Sequence, residues 1–201
     1  LDYDLCVVVD PDADRLVLID EKGNLLSEEM TLPIIAMDLI LEDKSGNFVI
    51  NQSSSMTINE VTKDSGIKIL RSKVGERNVI EMMKDTNAMF GGEGNGGIID
   101  PAIHHGRDSL VGIVYILNYM RRTGKKMSQI IEGLPKFIMR KEKYTIDRSN
   151  LDSIYKKIIS MYPNTEILRT DGLRLSWADK WIHLRPSNTE PIVRLMGESK
   201  N

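Results

Sequence analysis

The chain has 201 residues, 41% of them hydrophobic and 28% charged, with 27 Lys and Arg set against 29 Asp and Glu. That composition excludes a disordered or fibrous protein and supplies enough apolar residues for one large or two small cored domains. A net charge of -2 excludes a global basic field for nucleic acid or anionic lipid, and no apolar run nears the roughly 20 residues of a membrane helix.

Residues 4–10 form a β-branched apolar run and read as a buried strand, which makes Cys6 a buried thiol. A single cysteine forbids an internal disulfide and favours a reducing, cytoplasmic setting. The chain opens directly before this strand with neither an initiator Met nor a signal segment, which reads as a fragment of a longer protein. A second strand is expected over residues 16–19, ended by a turn at 21–24. Helical spacing of Leu32, Ile35, Ala36, Leu39 and Ile40 predicts a helix over 30–42, with Pro33 tolerated in its first turn.

Further on, a strand over 48–51, a helix over 57–65 ended by an αL Gly66, a strand over 67–70, a helix over 77–85 and a strand over 88–90 alternate. Such alternation is the pattern of an α/β layered domain. A long helix over 109–122 is predicted, with Asp108 as its cap, Arg121 and Arg122 at its negative end and Gly124 as its stop. The texture changes after Pro135, where we place a domain boundary. A strand over 137–144, a helix over 150–161 and strands over 173–177, 181–184 and 192–196 predict an α+β domain with an antiparallel sheet; His183 is read as strand packing.

Three loops carry chemistry. Residues 10–15, Asp-Pro-Asp-Ala-Asp-Arg, alternate three carboxylates after an apolar strand. A bend there points Asp10, Asp12 and Asp14 at one hard cation; Mg²⁺ takes oxygen ligands and keeps positions for water or phosphate. Arg15 adds a guanidinium fork suited to a phosphate at the same centre. Competing readings are a solvated acidic turn, a calcium loop of the EF-hand kind ending at Glu21, and a haloacid-dehalogenase-like phosphatase with Asp10 as nucleophile and Asp12 as acid. Arg15 stands where the calcium loop requires glycine, and Asp14 where the phosphatase carries Thr or Val.

Residues 91–97, Gly-Gly-Glu-Gly-Asn-Gly-Gly, leave Glu93 and Asn95 to hold paired hydroxyls in a stretch otherwise bare of side chains. No helix start follows, which excludes the dinucleotide fingerprint. Residues 185–191 gather Arg185, Ser187, Asn188 and Thr189 with free backbone N–H groups, the donors a phosphate dianion needs, and Arg194 can reach the same place. A flexible turn and a polar hairpin turn are the plain alternatives for these two loops. Candidates for a general base are His104, His105, Arg107 and Lys73.

In this order the loops resemble those of the α-D-phosphohexomutase superfamily, which includes phosphoglucomutases, phosphomannomutases and phosphoglucosamine mutases. The resemblance spans nearly the whole chain. Residues 10–15 look like its metal loop, 92–97 like its sugar-binding loop, 185–191 like its C-terminal phosphate-binding loop, and Lys73-Val74-Gly75-Glu76-Arg77 like a segment near the sugar. It implies a four-domain enzyme in which residues 1–26 end a mixed α/β domain 2, residues 27–135 form α/β domain 3, and residues 136–201 form most of domain 4, its last helix missing.

The implied phosphoserine belongs to an N-terminal domain, the remainder of the same chain, so this fragment alone is expected to be inactive. The implied reaction moves a phosphoryl group between the 1- and 6-positions of a hexose phosphate through a hexose bisphosphate. One Mg²⁺ on Asp10, Asp12 and Asp14 assists, Glu93 holds ring hydroxyls in both orientations, and Arg185 to Thr189 grip the phosphate that is not reacting. Many mannomutases and glucomutases carry Ser and His where this chain has Asn95 and Gly97, which shifts the expectation toward glucosamine phosphate. The alternatives that remain are the phosphatase and a non-catalytic sugar-phosphate-binding module.

Overall fold

The computed structural model describes residues 2–187 and 190–200, and the chain divides into two compact units, residues 1–135 and 136–201. In the first, strands β1 (Leu5–Val9) and β2 (Leu16–Asp20) make an antiparallel ribbon. There follow α1 (Thr31–Leu41), β3 (Gly46–Asn51), α2 (Thr57–Thr62), β4 (Ile67–Ser72), α3 (Glu76–Asp85), β5 (Phe90–Glu93), β6 (Gly97–Ile99), α4 (Ser109–Thr123) and α5 (Met127–Glu132). The strands β4-β3-β5-β6 form one sheet, in which β3 runs parallel to β4 and β5 while β6 returns antiparallel to β5.

Strand side chains alternate between faces, and that alternation builds two apolar layers. Phe48, Ile50, Phe90 and Ile98 pack with α1, α4 and α5 on one side; Val49, Ile99 and Leu70 pack with Val79 and Met83 of α3 on the other. Leu16 and Leu18 of β2 enter the first layer, which seats the ribbon on the layered domain. Helix α4 begins where the Asp108 carboxylate accepts the N–H groups of Leu110 and Val111. It ends at Gly124, whose φ of +63 suits a residue without Cβ.

The second unit comprises β7 (Ile138–Tyr144), α6 (Leu151–Met161), β8 (Glu166–Leu168), β9 (Leu173–Ser176), β10 (Lys180–Pro186) and β11 (Val193–Ser199). Its sheet runs in the order β7-β11-β10-β9-β8, antiparallel throughout. Leu173, Leu175, Leu184 and Val193 meet Leu151 and Tyr155 of α6. The intervening residues of the strands carry polar groups: the Trp181 indole N–H donates to Glu198 at 2.9 Å, and the Arg174 guanidinium lies 5.0 Å over the Trp181 ring.

Several expectations need correction. The run over 4–10 forms a strand that is not buried in this 201-residue chain: Val7, Val8 and Val9 are exposed and Cys6 is only partly buried, with β1 paired only to β2 among the described residues. Helix α2 stops at Thr62, and Gly66 is not left-handed; a Cβ there would lie 2.6 Å from Ser45 Cβ, so close packing is what calls for glycine. The glycine-rich stretch is mostly strand, since Gly91 pairs with Ile99 and Glu93 with Gly97. Arg185 and Pro186 end β10 rather than open a loop. Helix α5 and strand β8 leave no mark in the sequence pattern; each is six residues or fewer, too short for a periodic signal.

Candidate functional site

At the end of β1 the backbone turns back, with the Ala13 N–H donating to the Asp10 carbonyl and Ala13 in the left-handed region at φ 57. This turn brings one carboxylate oxygen each of Asp10, Asp12 and Asp14 within 4.8 Å of one another. Helix α4 holds the turn in place: the backbone N–H and hydroxyl of fully buried Ser109 both donate to the Ala13 carbonyl. Asp10 Oδ1 accepts the N–H groups of Asp14 and Arg15, each at 3.1 Å. For Asp10, burial opposes ionisation, but those two N–H groups and the Arg15 charge outweigh it and hold its carboxyl below the usual range.

Asp14 is pushed the other way. Burial, and the charges of Asp10 and Asp12, raise its carboxyl above the ordinary range against the pull of Arg107. Its Oδ1 is buried and accepts no hydrogen bond. A buried, unsatisfied carboxylate oxygen beside two more carboxylates is a costly arrangement that a hard divalent cation would relieve, so this donor set fits Mg²⁺. Arg15 borders the cluster, its Nε 3.6 Å from both Asp10 and Asp14. Glu21 instead accepts from the Ser128 N–H and hydroxyl, away from the loop, and β2 follows where an EF-hand would start a helix.

Glu93 ends β5, Asn51 ends β3 and Ser72 ends β4, so polar side chains collect at the carboxyl ends of the parallel strands, the usual place for a ligand in such sheets. Glu93 is buried, and its Oε1 accepts from Asn51 Nδ2 at 2.9 Å and from the Gly75 N–H at 2.8 Å. Gly75 belongs to the 73–77 segment, whose Lys73 side chain is exposed. The Gly94 N–H donates to Ser54 Oγ. At the hairpin tip, Gly96 has φ +82, and a Cβ there would lie 2.1 Å from the Leu16 carbonyl oxygen. Asn95 shares a cleft with Val9, Asp10, Arg15 and Glu28, its Oδ1 accepting the Gly97 N–H.

The acidic loop and the hairpin are joined by Arg107. Its guanidinium pairs with Asp14 Oδ2 and, through Nη1 at 3.1 Å, with Glu93 Oε2, while its backbone N–H donates to Glu76 Oε1 at 2.7 Å. A guanidinium so placed cannot serve as a base. His104 pairs with the capping Asp108 at 3.0 Å, and His105 is exposed.

In the second unit, Arg185 lies across the β10–β11 ladder from Arg194, with Asp171 Oδ2 3.9 Å from the Arg185 Nη1. Buried Ser187 donates its N–H to the Ile192 carbonyl, its hydroxyl accepts the Glu190 N–H, and its carbonyl accepts from Arg148 Nη2 at 2.5 Å. Arg194 donates to Glu190 at 2.8 Å. Asn188 and Thr189 lie outside the described residues. His183 is buried, its Nε2–H donating to the Asp171 carbonyl at 2.6 Å.

Sequence reasoning missed the support around Glu93, above all Asn51, Ser54 and Glu76, and it gave Arg107 the wrong role. A signal existed for the first two: five polar residues, Asn51-Gln52-Ser53-Ser54-Ser55, follow an apolar strand and are all buried.

Comparison with known proteins gives these loops a context. Residues 28–137 match the family model described as phosphoglucomutase/phosphomannomutase, alpha/beta/alpha domain III, and residues 150–201 match the C-terminal domain of the same family. A phosphoglucomutase/phosphomannomutase of Thermococcus kodakarensis is 33% identical over 203 residues, covering 100% of this chain and 44% of the relative. A phosphoglucosamine mutase of Methanocaldococcus jannaschii is 33% identical over 200 residues, covering 96% and 44%. The chain thus spans less than half the length of these curated relatives. The crystal structure of a phosphoglucomutase/phosphomannomutase family protein from Burkholderia thailandensis superposes with a TM-score of 0.84 at 20% identity, covering 100% of this chain and 43% of that one, and so shares its fold. The chain belongs to the phosphoglucomutase/phosphomannomutase family, within the α-D-phosphohexomutase superfamily.

Proposed function

We propose that this chain provides the cation- and hexose-phosphate-binding parts of a phosphohexomutase, an isomerase that moves a phosphoryl group between the 1- and 6-positions of a hexose phosphate. One observation carries the reading: within a single compact unit, an acidic triad with a buried oxygen that accepts no hydrogen bond is tied through Arg107 to a glutamate at the carboxyl end of a parallel strand. Asp10, Asp12 and Asp14 would hold one Mg²⁺, which when bound neutralises charge on the transferring phosphoryl group.

Arg15, charged and half-exposed at the rim, orients a substrate phosphate there. Glu93 is held by Asn51, Gly75 and Arg107, so it meets ring hydroxyls as a fixed acceptor. Arg185 and Ser187, with Asn188 and Thr189 close by in sequence, bind the phosphate that is not reacting. A phosphoserine supplied by an N-terminal part is the group that exchanges with the bisphosphate, so the 201-residue chain binds without turnover. Glucosamine phosphate is the first substrate to test, because Asn95 and Gly97 replace the Ser and His of many glucomutases and mannomutases. The phosphatase reading leaves Asp14 without a role, since that family carries Thr or Val at this position.

A chimera joining the N-terminal half of the Thermococcus kodakarensis relative to this chain should interconvert the 1- and 6-phosphates of glucosamine, mannose or glucose in the presence of Mg²⁺. This chain alone should not. A phosphorylated chimera inactive on all three sugars, or turnover by the chain alone, refutes the reading.

A further inference from the structure

We propose that Arg107 sets the choice of cation at the acidic loop by holding Asp14 as a single-oxygen ligand. This rests on reading residues 10–14 as a cation site. Arg107 engages Asp14 Oδ2, which leaves the buried Oδ1, bordered by Arg15 Nε at 3.6 Å, as the oxygen Asp14 can offer beside Asp10 and Asp12. Asp10 is restricted in the same way, because its Oδ1 already accepts two backbone N–H groups. Two of the three carboxylates can therefore offer one oxygen each. Mg²⁺ and Mn²⁺ accept single oxygens in a compact octahedron, whereas Ca²⁺ gathers 6–8 oxygens and commonly takes carboxylates by both.

The restraint is stiff because Arg107 cannot swing away. Its side chain is only 11% exposed, its Nη1 is bonded to Glu93, its Nε lies 3.8 Å from Glu76 Oε2, and its backbone is pinned by the same glutamate. Its Cδ fills the space over Gly97, where a Cβ would approach to 2.3 Å. Releasing Asp14 would break the Glu93 pair as well. The positive charge of Arg107 opposes any divalent cation nearby, but it does so for Mg²⁺ and Ca²⁺ alike, so the geometric restraint alone separates them.

The test uses the 201-residue chain with Arg107→Met. Bound Mn²⁺ is followed by electron paramagnetic resonance while Mg²⁺ or Ca²⁺ is added, with circular dichroism melting as the check on folding. In the wild type, Mg²⁺ should displace Mn²⁺ at lower concentration than Ca²⁺ does. In Arg107→Met that preference should shrink by about tenfold, the scale on which residues that orient a ligand act, chiefly through tighter Ca²⁺ binding. Arg107→Lys cannot reach Asp14 and Glu93 together and should shift the preference the same way; it decides the matter if the methionine variant does not fold. An unchanged preference in every folded variant overturns the proposal. A wild type that binds no Mn²⁺ overturns the cation reading beneath it instead.

Discussion

Placing a methyl group on Gly96 attacks the junction between hairpin and acidic loop. The residue has φ +82, and its Cβ would sit 2.1 Å from the Leu16 oxygen, 2.8 Å from the Leu16 nitrogen and 2.9 Å from the Leu16 carbonyl carbon. All three are backbone atoms of a fully buried residue, so no side-chain rotation relieves the clash. A left-handed alanine costs about 1 kcal/mol, and forcing a close-packed contact apart adds about 1–3 kcal/mol. Gly96→Ala should therefore lose about 2–4 kcal/mol, a large share of the roughly 5–15 kcal/mol by which a domain is stable.

Gly124→Ala is the control, because Gly124 is also left-handed at φ +63 but has nothing within 4 Å of its Cβ. It should cost about 1 kcal/mol, the conformational part alone. Urea unfolding followed by far-ultraviolet circular dichroism reads the first unit, which carries five of the six α-helices among the described residues. Fluorescence reads the second, where Trp177 and Trp181 both lie, and should stay unmoved. Equal midpoint shifts for Gly96→Ala and Gly124→Ala would refute the argument from close approach.

Two further predictions concern buried charge. Asp38 is fully buried on α1 with Arg122 Nε at 3.5 Å, and burial raises its carboxyl above the ordinary range against the pull of Arg122. Arg122→Met should cost about 3 kcal/mol near neutral pH by stranding that charge. A raised carboxyl favours its neutral form in the fold, so the loss should shrink as pH falls through the folded value of Asp38; a loss constant with pH in melting experiments would count against this. In the second unit, burial holds His183 below its ordinary 6.5, helped by Arg174 and Arg185 and opposed by the Asp171 carbonyl. A lowered histidine makes stability full above the ordinary value and has it decline as pH drops through the folded one. Tryptophan-monitored urea midpoints at pH 7.5 and 5.5 should differ in the wild type and differ less in His183→Gln; the same difference in both proteins would contradict burial of His183 as the cause.

What the residues could declare by themselves was local. The α/β alternation, the cap and stop of α4 at Asp108 and Gly124, and the crowding of Asp10, Asp12 and Asp14 depend on neighbours within a few positions, where spacing carries the information. The order of the three loops was enough to show the family resemblance. Tertiary structure alone decided how the apolar runs are covered: Leu16 and Leu18 of β2 enter the core, while the valines of β1, which pairs only with β2 among the described residues, stand exposed in this 201-residue chain. It also decided the site's wiring. Arg107 and Asp14 are separated by 93 positions, and Asn51 and Glu93 by 42. No periodicity reaches so far; only the side-by-side carboxyl ends of parallel strands, and α4 anchored on Ala13, bring those groups within a hydrogen bond of one another.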